Sequence, residues 1–278
     1  MTDSTYLSAT HIDAFTTDGV VHLSKAFAPS WINKLTQGLD DAVLHPSSRY
    51  SVRRVKDDFS SYQEDFWVWS RVPEFEAFLR KSPAAGYAAR LLNASRINLV
   101  MDNWFIREAG SQARAPWHHD ISYFDFEGSM CVFWIPLESC PAGQGIEFVR
   151  GSHRWGKLFT RVYFDGHQLA SEPGWVNGKF YETPPDIDQN RNQYDIISFD
   201  LEPGDCLCFD IRVLHGTSPQ NLPVKRQRRF TVRMAAEDSC IRYRGDWAQT
   251  ERKEFELAGH QDGDPLDSEF FPRLWPMP

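Results

Sequence analysis

The sequence predicts a mainly β fold with α-helices on its flank, and two observations carry that expectation. From Ile97 to Met234 the apolar residues come as strand-like alternations or as short continuous runs closed by Gly and Pro, whereas helical spacing is confined to the stretch before residue 95. The length, 278 residues, is also one at which β barrels and sandwiches form a single domain. Neither an internal repeat nor a linker divides the chain. The expected organisation is one domain, with a helical N-terminal region over about 1–95, a β core over about 96–240 and an irregular C-terminal tail.

Residues 10–17 read as a short helix with Ile12 and Phe15 on one side, then Asp18-Gly19 and the strand Val20-Val21-His22-Leu23. Ser30 is the expected N-cap of a helix in which Ile32, Leu35, Leu39 and Ala42 or Val43 recur at helical spacing. Residues 45–70 lose periodicity. They mix Arg49, Arg53, Arg54 and Lys56 with Tyr50, Phe66, Trp67 and Trp69, as ligand-facing loops or edge strands do, or as a solvated basic face over core aromatics would. Helices are expected at 73–80 and 83–93, the second capped by Ser82 with Pro83 at its first position.

Strands follow. Ile97, Leu99 and Met101 alternate with polar neighbours, Met130 to Leu137 is a continuous buried run, and Gly143-Gln144-Gly145 turns the chain into Ile146-Glu147-Phe148-Val149. Residues 156–195, irregular and aromatic-rich, have the character of a lid. Glu202-Pro203-Gly204-Asp205 fits a type II turn between Ile196–Phe199 and Leu207–Phe209, with Pro at its second position and Gly accepting positive φ at its third. Arg229 to Met234 is the last expected strand, and the tail carries Trp247, Phe270, Phe271 and Trp275 as anchors.

A formal net charge of −8 argues against a nucleic-acid or anionic-membrane surface, which needs a concentrated positive field. The longest apolar run is far short of the roughly 20 residues that span a bilayer, and the first residues lack the pattern of a signal peptide. Five cysteines, without disulfide or paired Cys-x-x-Cys spacing, fit a reducing cytoplasm. Cys206 and Cys208 read as small buried strand residues, with metal binding as the other option.

The chemistry concentrates in Pro116-Trp117-His118-His119-Asp120-Ile121-Ser122-Tyr123-Phe124. If this stretch is extended, residues two apart share a face, so His118 and Asp120 meet one cavity while His119 faces away. An imidazole and a carboxylate on one face are two members of a 2-His-1-carboxylate iron site; a hydrogen-bonded surface pair or an N-cap would have the same spacing. The candidate for the third ligand is His215 in Val213-Leu214-His215-Gly216-Thr217.

Several further segments carry a resemblance in their order: Asp18-Gly19-Val20-Val21, Trp104-Phe105-Ile106-Arg107-Glu108-Ala109-Gly110, Trp117-His118-His119-Asp120, Phe133-Trp134-Ile135-Pro136-Leu137, Phe148-Val149-Arg150-Gly151-Ser152-His153-Arg154-Trp155-Gly156, Glu202-Pro203-Gly204-Asp205, Leu214-His215-Gly216 and Gly263-Asp264-Pro265-Leu266-Asp267-Ser268. With them the chain resembles the phytanoyl-CoA dioxygenase-like family of Fe(II)- and 2-oxoglutarate-dependent oxygenases. The resemblance implies a double-stranded β-helix, a cupin-like jelly roll with helices packed outside. It also implies that His118, Asp120 and His215 bind iron, leaving two positions for 2-oxoglutarate and one for O2.

The far carboxylate of 2-oxoglutarate then needs a buried cation. The family arginine stands four residues before a Ser or Thr of the last strand, and counting back from Thr231 gives Gln227, with Arg226, Arg228 and Arg229 around it. Arg229 shares strand parity with Thr231 and ranks first, Arg228 second and Arg226 third. Arg107, where many relatives have lysine, is a candidate for approaching the co-substrate or the substrate, or else a surface arginine. Trp134 resembles a cavity-wall tryptophan of the family. Gly151-Ser152-His153 reads as a structural turn.

The implied reaction is hydroxylation of a C–H bond in a small molecule, and the basic side chains of residues 45–70 favour a small polar substrate carrying negative charge. Iron halogenases of this fold lack the carboxylate ligand, and Asp120 is present. Two other classes share the scaffold. A cupin-like metal enzyme such as an isomerase or ring-cleaving enzyme would need no arginine after the distal histidine, and a non-catalytic binding protein would be expected to have lost a ligand. Substrate identity and oligomeric state are not encoded in any motif.

Overall fold

Two antiparallel sheets face one another, and the four N-terminal helices cover the outside of the larger one. A computed structural model describes residues 7–54, 61–164, 172–220, 222–244 and 252–277; Lys56 and Trp247, singled out above, lie outside these. Helix α1 (Ala9–Asp18) starts at Ser8, whose Oγ accepts from His11 N at 3.3 Å, and stops at Gly19, with φ 82°. Strand β1 (Val20–Leu23) leads to α2 (Pro29–Leu44). The expected Ser30 cap is corrected: Pro29 takes the first turn, where its missing N–H costs nothing, and Ala28 is the cap residue. Strands β2 (Ser51–Arg53) and β3 (Tyr62–Phe66) follow, then α3 (Pro73–Lys81) and α4 (Ala84–Leu91). The expected Ser82 cap is corrected as well: Pro83 is the cap residue of α4, and Ser82, one place before it, accepts from Ala84 N through its Oγ at 3.3 Å.

The long strand β4 (Ile97–Arg107) precedes β5 (Phe126–Glu127), β6 (Met130–Pro136) and β7 (Ile146–Val149). Strands β8 (Leu158–Phe159), β9 (Gly174–Val176) and β10 (Lys179–Glu182) form a small sheet of their own inside the predicted excursion. Then come β11 (Ile196–Ile197), β12 (Cys206–Asp210), β13 (His215–Thr217), β14 (Gln227–Ala236) and β15 (Cys240–Ile241), and finally α5 (Arg252–Leu257) and β16 (Arg273–Trp275).

The major sheet runs β1-β12-β6-β14-β4-β3-β2, with β16 also on β4, and the minor sheet runs β11-β7-β13. The N-terminal third is therefore not only helical, and the tail is not only irregular: both give strands to the major sheet. The Glu202–Asp205 turn forms as expected, with Gly204 at φ 106° and Asp205 N donating to Glu202 O at 2.9 Å.

Period-two alternation sorts the major sheet into two faces. Phe133 and Ile135 of β6, Trp104 and Ile106 of β4, and Phe230 and Val232 of β14 share one apolar core with Leu35, Leu39, Phe75 and Phe78 of the helices. Phe230 lies 4.5 Å from Phe75 between ring centres. Cys131, Cys206 and Cys208 belong to this core, and burial pushes the Cys206 and Cys208 thiols well up, which fits packing and not metal binding. The opposite face turns toward the minor sheet, where Val132, Trp134, Leu207 and Phe209 pack with Ile146 and Phe148. Between the sheets the alternation delivers polar residues too. Among the described residues no helix is long and apolar enough to cross a membrane.

One buried carboxyl sets a pH dependence. Burial raises Asp102 in β4 to about 7, and neither of its carboxyl oxygens has a hydrogen-bond partner among the described residues. In the unfolded chain it titrates near pH ~3.9. Between those values the folded state keeps a proton that the unfolded state releases, so its contribution is full below pH ~4 and is lost as pH rises through about 7. Asp102→Asn should remove a slope worth on the order of 4 kcal/mol across that window. Thermal unfolding of both proteins from pH 4 to 8 checks this; parallel profiles would contradict it.

Candidate active site

The two histidines are brought together by backbone pairing. His118 N donates to His215 O at 2.9 Å and His215 N to His118 O at 2.8 Å, an antiparallel bridge that extends the minor sheet beyond β13. Gly216 permits it: a Cβ there would stand 3.1 Å from the Trp117 ring and 3.2 Å from the Pro116 backbone. Leu214 is braced by Ser152 Oγ, which accepts its N–H at 2.8 Å, so the Gly151-Ser152-His153 turn supports His215 without supplying a ligand. His153 itself points to Thr16 O, 3.1 Å away.

The expected strand through residue 124 is corrected in part. His119 is extended (φ −121°, ψ 141°), so His118 and Asp120 do share a face, but Asp120–Tyr123 then wind into a 3-10 turn, with Ser122 Oγ bonded to Phe159 O. His119 faces away, accepting from Phe159 N at 3.1 Å, and burial pushes it down to about 3.

The ligand atoms of His118, Asp120 and His215 lie within 4.8 Å of one another, all buried. His118 Nδ1 sits 2.7 Å from Pro116 O and His215 Nδ1 3.0 Å from Val213 O. A carbonyl only accepts, so each Nδ1 carries the proton and each Nε2 keeps its lone pair. Those lone pairs face Asp120 Oδ1 at 3.3 and 3.5 Å. Burial, then the neighbouring His215, depress the His118 pKa, keeping it neutral and available as a ligand. Burial opposes the charge on Asp120, but the Arg233 guanidinium beside it holds its carboxyl well below the usual range. Three converging lone pairs, two nitrogen and one anionic oxygen, fit a divalent transition metal.

This cluster lies in a cavity of about 520 Å³, within the roughly 300–1,000 Å³ of small-molecule sites. Thr231, Arg229 and Arg233 of β14, Asn103 and Phe105 of β4, and Trp134 of β6 line it. The Arg229 guanidinium lies 5.0 Å from the centre of the Trp134 ring, its Nη2 donates to Gln227 Oε1 at 2.7 Å, and its buried Nε has no hydrogen-bond partner among the described residues. Asn103 Nδ2 is a second such donor.

The other arginine candidates lie elsewhere. Arg228, on the opposite strand face, pairs with Asp40 and Glu138 at 2.6 Å each, and Arg226 is half exposed, 3.4 Å from Glu108. Arg107 is neither a surface residue nor part of the cavity lining. It is fully buried, its Nε and Nη2 donating to Ala113 O and Ser111 O at 3.1 and 2.9 Å. Burial and the charge of Arg229 push it down to about 10. Arg233 and Asn103 were not anticipated. Arg233 continues the parity of Arg229 and Thr231, which was a usable signal, while Asn103 reaches the cavity only through the β4–β14 register.

Both irregular segments contribute to the cavity lining: Ser48, Arg49 and Arg53 from one, Arg161 and Phe164 from the other. Arg49 pairs with Glu254 and Arg53 with Glu64. Arg161 lines the cavity without a hydrogen-bonding or ionic partner among the described residues, its Nε buried. Phe164 stands 5.0 Å from the His118 ring and stacks on Tyr123 at 5.7 Å.

The model of the family described as phytanoyl-CoA dioxygenase (PhyH) matches residues 15–226. Among solved structures, the non-heme alpha ketoglutarate dependent carbocyclase SnoK from nogalamycin biosynthesis is similar with a TM-score of 0.72 at 16% identity, over 98% of each chain. The epimerase SnoN, in complex with Fe3+, alpha ketoglutarate and nogalamycin RO, gives 0.71 at 16% identity, over 95% of this chain and 97% of its own. EctD from S. alaskensis, with 2-oxoglutarate and 5-hydroxyectoine, gives 0.62 at 14% identity, over 85% of this chain and 79% of its own. The comparison with curated proteins gives no match.

Proposed function

The chain belongs to the phytanoyl-CoA dioxygenase family of Fe(II)- and 2-oxoglutarate-dependent oxygenases, and from that premise we propose that it hydroxylates a C–H bond of a small molecule. The overall change is R–H + 2-oxoglutarate + O2 → R–OH + succinate + CO2. The observation that carries the reading is the convergence of two unprotonated imidazole nitrogens and Asp120 Oδ1 at one buried point beside an arginine-lined cavity.

His118, Asp120 and His215 are the iron ligands. Arg229, with Thr231 beside it, receives the far carboxylate of 2-oxoglutarate, an acceptor-rich group that meets the unpaired donors Arg229 Nε and Asn103 Nδ2. Trp134 forms the wall under that guanidinium. Bound iron and 2-oxoglutarate supply the oxidising power; the protein orients the partners and excludes water. The inward-facing arginine favours 2-oxoglutarate use over a cupin-like enzyme that dispenses with it, and the complete ligand set speaks against a non-catalytic binder. With Asp120 filling its position, no coordination site is reserved for a halide.

The substrate is small, and its polar part is anionic. Arg161 in the cavity lining supports this, and the aromatic walls of Tyr123, Phe124 and Phe164 provide for an apolar body. The test is turnover of matched carboxylic acids and their amides under 18O-labelled O2 with chloride present, followed by product mass spectrometry. Acids should be preferred and should gain one labelled oxygen. Equal use of the amides would remove the anionic assignment, and a chlorinated, cyclised or epimerised product would remove hydroxylation.

A further inference from the structure

The two oxygens of Asp120 have separate environments. Oδ1 faces His118 Nε2 and His215 Nε2 at 3.3 and 3.5 Å. Oδ2 is approached by Arg233 from two nitrogens, Nε at 2.8 Å and Nη2 at 2.7 Å. The third guanidinium nitrogen, Nη1, donates to Asn103 Oδ1 at 3.0 Å, and Asn103 Oδ1 is also held by Thr231 Oγ1. The Phe124 ring centre lies 5.3 Å from the guanidinium carbon. Arg233 is 8% exposed and sits on β14 between β4 and β6. Its guanidinium is thus fixed by the strand, by a side-chain amide and by an aromatic face, and it engages Oδ2 with one charge-assisted hydrogen bond from Nε and the close charge of Nη2.

Building on the iron-site reading above, we propose that Arg233 is a positioning residue that restricts Asp120 to coordination through Oδ1 alone. A carboxylate has a choice that an imidazole lacks: it can bind through one oxygen or chelate through two. With bound iron, three protein donors and two from 2-oxoglutarate would leave room for O2, and a chelating Asp120 would take it. Arg233 removes the choice by engaging Oδ2. Its loss should therefore affect reaction with O2 and the coordination of the metal, and leave 2-oxoglutarate recognition by Arg229 in place.

The experiment uses full-length protein with 13C-carboxyl aspartate, loaded with Fe(II) without oxygen, and reads the infrared difference between metal-loaded and metal-free samples. The wild type should show a wide separation of antisymmetric and symmetric carboxylate stretches, the mark of one-oxygen binding. In Arg233→Met the separation should narrow, iron affinity should fall roughly 10–100-fold, the usual range for loss of a group that orients a ligand, and the dissociation constant for 2-oxoglutarate should hold within about threefold. Arg233→Lys, which keeps the charge and one donor direction, should restore part of the wide separation. A narrow separation in the wild type overturns the proposal whether or not either variant folds. So does an unchanged wide separation in a variant that binds iron. A large loss of 2-oxoglutarate affinity in Arg233→Met with coordination unchanged would make Arg233 the co-substrate arginine. If the wild type shows no metal-dependent aspartate signal at all, the iron-site reading itself fails, a result distinct from the others.

Discussion

Arg229→Gln should raise the Michaelis constant for 2-oxoglutarate by about 30-fold or more, because removing one partner of a buried, hydrogen-bonded charge pair costs roughly 2–5 kcal/mol. Arg229 is 4% exposed, and beside it stand Trp134 and Gln227, neither of which can replace a cation. The co-substrate's carboxylate would then be buried without a counter-charge. Since the chemistry takes place at the metal, turnover at saturating 2-oxoglutarate should fall much less. Succinate formation as a function of 2-oxoglutarate concentration measures both. Arg228→Gln is the control: its side chain is committed to Asp40 and Glu138 on the helix-facing side, so the constant should hardly move. A large effect in Arg228→Gln with none in Arg229→Gln would invert the assignment.

Asp120→Ala is expected to do two kinds of damage. It removes the anionic metal ligand, leaving two imidazoles, so Fe(II) affinity and hydroxylation should be lost, with chlorination at most a trace. It also strands Arg233, whose Nε and Nη2 both depend on Asp120 Oδ2. Leaving a buried charge uncompensated costs roughly 3–5 kcal/mol. Chemical unfolding of the metal-free proteins isolates the second effect from the first. A variant as stable as the wild type would mean that water or another carboxylate already satisfies Arg233.

Much of this site was legible because a strand has a period of two. That period put His118 and Asp120 on one face, set His119 aside, and preferred Arg229 to Arg228. It holds even where the strand ends, since only His119 needs to be extended for its neighbours to face together. The same alternation, carried one step past Thr231, reaches Arg233. What no local pattern gave was its partner: Asp120 is 113 positions away in sequence, and the link depends on how β14 packs against the 3-10 turn. Asn103 was hidden for a similar reason, being placed by its register opposite Thr231. Arg107 shows the reverse problem. It shares parity with Asn103 and Phe105, but it lies at the strand's end, where the nearest acceptors are the carbonyls of Ser111 and Ala113. At the helices, Pro29 overrode a reasonable serine cap because a fixed φ without an N–H suits the first turn.

Anaerobic titration of the protein with Fe(II) and then 2-oxoglutarate is the most direct test of iron bound by His118, Asp120 and His215. A 2-oxo acid chelated to Fe(II) produces a weak visible charge-transfer band, which should appear only when both are present and saturate at one iron per chain. In His215→Ala the band should disappear. A band of full intensity in His215→Ala, or none in the unmodified protein, would contradict the assignment.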